Sequence, residues 1–150
     1  KYSEFHIDAA KTVKFSSSYD DTFFLGDIVS FDCSESKYSD FEIKTLSGFF
    51  KLISYDDKVS IDQIAPEFSE LKIDGKYGDY RLAIPEAASY RLLIDMKYGR
   101  IDYPEELFES KTYIKENSKV FLDATTKNSK GENFRIVDIK GHDNRIFIND

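Results

Sequence analysis

The chain has 150 residues, 41% of them hydrophobic and 33% charged, with a formal net charge of −7. That length suits one domain with a sizeable core, and the composition excludes a disordered chain, while no stretch approaches the roughly 20 apolar residues of a membrane-spanning helix. An acidic chain without a basic stripe cannot neutralise phosphates, which excludes nucleic acid as a partner, and a single cysteine, Cys33, excludes an internal disulfide or a cysteine-based zinc site.

The chain opens on Lys1 rather than Met, which reads as a processed or trimmed chain, so the want of a signal peptide says nothing against export. Phe5-His6-Ile7 and Thr12-Val13-Lys14-Phe15 read as short strands, ended by Ser16-Ser17-Ser18. From Tyr19 a repeat takes over. Turn tyrosines fall at Tyr19, Tyr38, Tyr55, Tyr77 and Tyr98, at spacings of 19, 17, 22 and 21 residues. Three of the turns read Lys-Tyr-(Gly or Ser); the looser copies are Tyr19-Asp20-Asp21 and Tyr55-Asp56-Asp57.

After each of the last four turns comes a short alternating run: Phe41-Glu42-Ile43, Val59-Ser60-Ile61, Tyr80 to Ile84, and Ile101-Asp102-Tyr103. Another precedes it, such as Val29 to Cys33, Phe50-Lys51-Leu52, Leu71-Lys72-Ile73 and Tyr90 to Ile94. Bends separate the two runs at Leu46-Ser47-Gly48, Ala65-Pro66-Glu67 and Pro85 to Ser89. Strand, bend, strand, turn in about 20 residues is the period of stacked solenoid coils, none of which buries its inward face alone. The expected fold is all-β, a parallel β-helical solenoid in one domain over 1–150, with an antiparallel β-sandwich as the competing fold. Regular coils run over 19–103 and irregular capping coils over 104–150.

The apolar period of 2 and the 23 Phe and Tyr residues disfavour a helical bundle. The best helical candidates are Ala87 to Leu93 and Pro104 to Ser110, and 104–117 reads as a helical turn or loop leading out of the coils. Three further strands follow at Lys119–Leu122, Phe134–Ile139 and Arg145–Ile148, with a polar exposed loop over 125–133. Gly141-His142-Asp143-Asn144 reads as a hairpin or corner turn, and these last strands as rungs covering the open end.

Lys76-Tyr77-Gly78-Asp79, Ala88-Ser89-Tyr90-Arg91-Leu92 and Lys97-Tyr98-Gly99-Arg100-Ile101 give the repeat a likeness beyond its period. Over roughly residues 36–103 the chain resembles a β-helical family of bacterial cell-envelope proteins, common in the Bacteroidetes and labelled adhesins. That family includes the GIN-type head domain of autotransporter adhesins. The first two coils lack the turn glycine, and Arg100 stands where the family has an acidic residue. The resemblance implies the right-handed helix, export, and a periplasmic or outer-surface role as a non-enzymatic interaction or structural module. It names no ligand.

The residues carry little catalytic chemistry. His6 and His142 lie near opposite ends and Cys33 sits in a strand pattern, so no nucleophilic triad assembles. Asp20-Asp21 and Asp56-Asp57 occupy equivalent turns, with Asp40 and Asp79 aligned to Asp21 and Asp57. Stacked, they form a carboxylate row that reads as turn-capping, with calcium as the alternative. Outward charges such as Glu42, Lys51, Asp62, Lys72, Arg81 and Asp102 suit any soluble sheet, and a polysaccharide-processing site is the alternative reading. Tyr38, Tyr77 and Tyr98 form a corner ladder that stabilises the turns or offers a stacking surface. No cofactor is expected. The ligand, a glycan or a protein, and the oligomeric state stay open. The residues that matter are therefore Tyr38, Tyr77, Tyr98, Asp40, Asp57 and Asp79.

Overall fold

The computed structural model describes residues 2–129 and 135–149. The chain is all-β. Its strands are β1 (Glu4–Phe15), β2 (Ser18–Tyr19), β3 (Thr22–Lys37), β4 (Asp40–Tyr55), β5 (Lys58–Ile64) and β6 (Glu70–Lys76). They continue with β7 (Asp79–Ala83), β8 (Arg91–Asp102), β9 (Phe108–Glu116), β10 (Lys119–Thr126) and β11 (Ile136–Asn149). No helix among the described residues is long and apolar enough to cross a membrane.

The strands pair in parallel along one ladder, in the order β1-β3-β4-β5-β7-β11, and β8, β10 and β9 follow. Glu4, Thr22, Asp40 and Lys58 are successive partners 18 residues apart, and Asp79 follows Lys58 after 21. The longer step holds the turn at Ala65-Pro66-Glu67, whose Phe68 is fully buried. Because β4 and β11 each run round a corner, β4, β5, β7, β11 and β6 close a ring of five parallel strands.

Alternation decides what the ring encloses. Every second side chain of each limb points inward and meets its equivalents at about the 4.8 Å strand spacing. One column runs Phe5, Phe23, Phe41, Val59, Tyr80, Ile146 and Ile101; a second runs Val13, Phe31, Phe50, Leu71, Val137 and Leu92. Phe5, Phe23 and Phe41 stack at 4.9 and 4.7 Å, and Phe31 stacks on Phe50 at 4.9 Å. Cys33 lies buried in this core, and burial pushes its thiol up to about 11. It is packing material, not a nucleophile.

β4 carries one extra residue at Ser47-Gly48 relative to β3, and β3 one extra at Ser34-Glu35 relative to β4, so the two shifts cancel before the next corner. Gly48 is required at the first: a Cβ there would lie 2.5 Å from the Val29 carbonyl oxygen. The corners therefore stay in register although their limbs do not match residue for residue.

Several expectations change. Ala87 to Leu93 is a turn followed by β8, because Leu92, Ile94 and Met96 alternate into the core. In the 104–117 stretch only Glu105–Leu107 forms a 3-10 turn; Phe108–Glu116 is β9, which pairs antiparallel with β10 as β10 pairs with β8. Part of the 125–133 loop, and Phe134, lie outside the described residues.

The largest change concerns the last strand. Gly141 to Asn144 is a corner within β11 and joins no hairpin. β11 does not cover an end. It lies between β6 and β7 on one side and β8 on the other. The Asn144 side chain ties it there: Oδ1 accepts the Gly78 N–H at 2.9 Å, and Nδ2 donates to the Gly75 carbonyl at 2.9 Å. Asn144 is fully buried. Asn144→Ala leaves two buried backbone groups unpaired and should cost about 2–5 kcal/mol. Urea unfolding measures this, and a loss within error of zero would mean that β11 is not held by this side chain.

Candidate functional site

The corner where each second limb hands over to the next first limb is where the singled-out residues gather. In spatial order its four-residue words begin with Tyr19-Asp20-Asp21-Thr22, Lys37-Tyr38-Ser39-Asp40 and Tyr55-Asp56-Asp57-Lys58. They continue with Lys76-Tyr77-Gly78-Asp79, His142-Asp143-Asn144-Arg145 and Lys97-Tyr98-Gly99-Arg100. Two kinds of word alternate. One reads aromatic-Asp-(Asp or Asn); the other reads Lys-Tyr-(Ser or Gly). The chain's first residues, Lys1-Tyr2-Ser3-Glu4, spell the second kind.

In these six corner words the second residue has positive φ: Asp20 at 55°, Tyr38 at 56°, Asp56 at 54°, Tyr77 at 57°, Asp143 at 57° and Tyr98 at 52°. Asp tolerates this conformation through its short polar side chain, whereas Tyr has no such help. Its rings supply an offset. Tyr19 meets Tyr38 at 5.6 Å, Tyr38 meets Tyr55 at 5.7 Å, Tyr55 meets Tyr77 at 5.6 Å, and Tyr77 meets His142 at 5.2 Å, all nearly perpendicular. Edge-to-face pairs contribute about 0.5–1.5 kcal/mol each beyond burial. The perpendicular geometry goes with the alternation, since successive rings spring from different corner positions.

The ladder still faces solvent. Tyr38, Tyr77 and Tyr98 are 45, 48 and 58% exposed. Partial burial, then the neighbouring Tyr55, Tyr19 and Asp56, hold the Tyr38 phenol above its ordinary range. Tyr98 occupies an equivalent corner but makes no such ring contact among the described residues.

The third residue of each word points inward, beside a column of Ser18, Ser36, Ser54, Gly75 and Gly141. Asp21 accepts the Ser3 N–H at 2.8 Å on one oxygen, and the Ser18 hydroxyl at 3.0 Å and Tyr19 N–H at 3.2 Å on the other. Asp57 accepts the Ser39 N–H at 2.7 Å, as Asn144 accepts that of Gly78. Ser39 answers in turn: its hydroxyl accepts the Asp21 N–H at 3.2 Å and lies 2.8 Å from the Ser18 hydroxyl. Where Ser39 becomes Gly78, the Tyr80 hydroxyl moves in and donates to Ser54 at 3.0 Å. A Cβ on Gly78 or Gly75 would lie 2.1 or 1.9 Å from that oxygen.

The expected carboxylate row is therefore corrected by one position. Asp40 and Asp79 align with Thr22, Lys58 and Arg145, not with Asp21 and Asp57. Asp40 is exposed and Asp79 lies 3.7 Å from Arg81, while Asp21 and Asp57 are buried and bonded to amides. No group of three or more His, Cys, Asp or Glu side chains suited to a metal ion occurs among the described residues. Burial pushes the Asp57 carboxyl up, against the opposing pull of the Ser39 amide and the Ser54 and Ser36 hydroxyls.

A groove of about 750 Å³ follows the corner, lined among others by Asp56, Tyr77, Asp79, Arg100, Arg145 and Phe147. The Arg81 and Arg100 guanidinium groups lie 4.9 and 6.0 Å from the Phe147 ring centre. His142 and Phe147 were not singled out as site residues. The available signal was His142-Asp143-Asn144-Arg145, which matches Tyr55-Asp56-Asp57-Lys58 position by position. Searches against protein-family models, curated proteins and solved structures find no match for this chain.

A raised carboxyl is easier to protonate folded than unfolded, so Asp57 adds stability below the ordinary carboxylate range and loses it as pH rises through its folded value. Asp57→Asn keeps an acceptor for the Ser39 amide, as Asn144 does for Gly78. The variant should gain stability relative to the parent at neutral pH, and the gain should vanish in acid. Urea midpoints of the two proteins from pH 3 to 8 measure it; a difference that does not change with pH would mean that burial does not raise the carboxyl. A second expectation concerns Tyr80. Gly75→Ser should cost about 1–3 kcal/mol by overpacking. Adding Tyr80→Phe, which restores the Ser36-and-Phe41 pattern of an earlier rung, should recover most of that loss in thermal unfolding.

Proposed function

We propose that this chain is a non-enzymatic interaction module of the bacterial cell envelope, exported and adhesin-like, whose ladder of rungs is a right-handed β-helical solenoid. The observation that carries the reading is the half-exposed ring ladder Tyr19-Tyr38-Tyr55-Tyr77-His142, which crosses five rungs at one corner. A rigid parallel ladder repeats a surface group at a fixed interval, and repetition suits the capture of an extended ligand. The buried Asp21 and Asp57 are committed to the corner amides, which favours binding over catalysis.

The parallel register and the resemblance of Lys76 to Ile101 support the solenoid and the envelope setting. A second reading, a carbohydrate-binding or polysaccharide-processing surface, is favoured by the groove that sets Asp56 and Asp79 beside Tyr77. Perpendicular rings make a poor flat platform for sugars, so glycans are one ligand class to test beside proteins.

Glycan-array and envelope-extract binding, with and without calcium, tests the reading. The double variant Tyr38→Asn, Tyr77→Asn removes two rings while keeping residues that accept positive φ. It should bind the ligand at least about tenfold more weakly and lose about 1–4 kcal/mol of stability. Undiminished binding would place the ligand away from this corner, and turnover of any polysaccharide would favour the second reading.

A further inference from the structure

Three of the chain's five arginines gather around one outward aromatic. Phe147 stands on β11 where the equivalent outward positions of β4 and β5 carry Glu42 and Ser60. Arg81 approaches its ring from β7 on one side and Arg100 from β8 on the other, at 4.9 and 6.0 Å. Contact with an aromatic face holds a guanidinium in place and reduces the entropy lost when it grips a ligand. Each of the two turns its Nε to a carboxylate, Arg81 to Asp79 at 3.7 Å and Arg100 to Asp102 at 3.1 Å. Their terminal nitrogens make no hydrogen bond among the described residues. Arg145, two residues before Phe147, is exposed and forms no ion pair among the described residues.

The column that follows the corner runs Lys58, Asp79, Arg145 and Arg100 on four adjacent rungs. It lies in the groove beside Tyr77 and Asp56. With rungs about 4.8 Å apart, cations recur along it at steps of one and two rungs. Arginine takes a carboxylate through two parallel N–H bonds, and such charge-assisted pairs are the strong ones. Asp56 and Asp79 stand among the cations, so the groove offers acceptors for hydroxyl groups beside donors for anions. These carboxylates repel a ligand that bears acidic groups alone, whereas a chain that carries both carboxylates and hydroxyls meets a partner for each. Around this column β5, β7 and β11 are paired on both sides, which leaves an extended peptide no strand edge to join there. Recognition falls to side chains, which a polysaccharide satisfies.

We propose that this groove binds an acidic polysaccharide, a chain of uronic-acid sugars, with Lys58, Arg145 and Arg100 on its carboxylates and Asp56 and Asp79 on its hydroxyls. The inference rests on the reading of this corner as a binding surface and names the class of its ligand.

Oligomers of galacturonate and of mannuronate are the probes, titrated calorimetrically into the 150-residue chain with a chelator present to exclude calcium bridging. The net charge of −7 opposes diffuse attraction of a polyanion, so binding has to be local. At least one acid oligomer should bind, and its methyl ester, which keeps the hydroxyls and loses the charge, should bind at least about tenfold more weakly. Arg100→Gln with Arg145→Gln should cause a similar loss. Lys14→Gln with Lys51→Gln removes the same charge from the other limb and should leave the affinity unchanged. All four side chains are exposed, so folding should survive, and circular dichroism checks it. Equal losses in the two double variants, equal binding of the ester, or tighter binding of polyglutamate would each overturn the proposal. Absence of binding by both acid oligomers would overturn it too; capture of an envelope ligand that Tyr38→Asn, Tyr77→Asn weakens would then leave the corner reading standing. Oligomer binding lost in the arginine variant yet unchanged by the tyrosine variant would support the groove and count against the ring ladder.

Discussion

The structure depends on satisfying the amide that each corner buries. To pass from one rung to the next the chain takes a residue at positive φ, and the following N–H turns inward, away from water. A buried amide without a partner costs about 1–3 kcal/mol, and the corner recurs at every rung. The partner comes from the adjacent rung: Asp21 for Ser3, Asp57 for Ser39 and Asn144 for Gly78. Rungs therefore work in pairs, one bringing the acceptor and the other the small residue that admits it.

This pairing explains features that look unrelated in the linear chain. Tyrosine moves between the first and second corner positions because Asp takes the second in alternate rungs, and the rings consequently meet edge to face. Gly75 and Gly78 exist because the Tyr80 hydroxyl stands where serine hydroxyls stand in earlier rungs. The place of β11 follows from the same logic. Without it, Lys76-Tyr77-Gly78 would lie beside Lys97-Tyr98-Gly99, two words of one kind with no acceptor between them. His142-Asp143-Asn144 restores the alternation.

The corner separates its two tasks by direction. Inward carboxylates and hydroxyls are occupied in holding the turn, while outward rings, Asp20, Asp56 and the lysines face solvent.

Much of this was legible in the sequence. Alternating apolar residues such as Phe41, Ile43, Val59 and Ile61 dictate strands, and the recurrence of the Tyr turns dictates a repeating parallel architecture, because both are local consequences of side-chain direction and backbone sterics. The corner residues Tyr38, Tyr77 and Tyr98 were likewise marked by local chemistry. What tertiary structure alone decided is which rungs are neighbours. The sequence pattern sets Asp40 and Asp79 in the inward row and residues 145–148 in a cap, because spacing in the chain cannot say which amide lacks a partner. Asp57 bonds Ser39 across 18 residues, and Asn144 bonds Gly78 across 66. Hydrogen bonds of that range depend on where the folded chain has placed its rungs, so only the assembled ladder could put β11 in its middle.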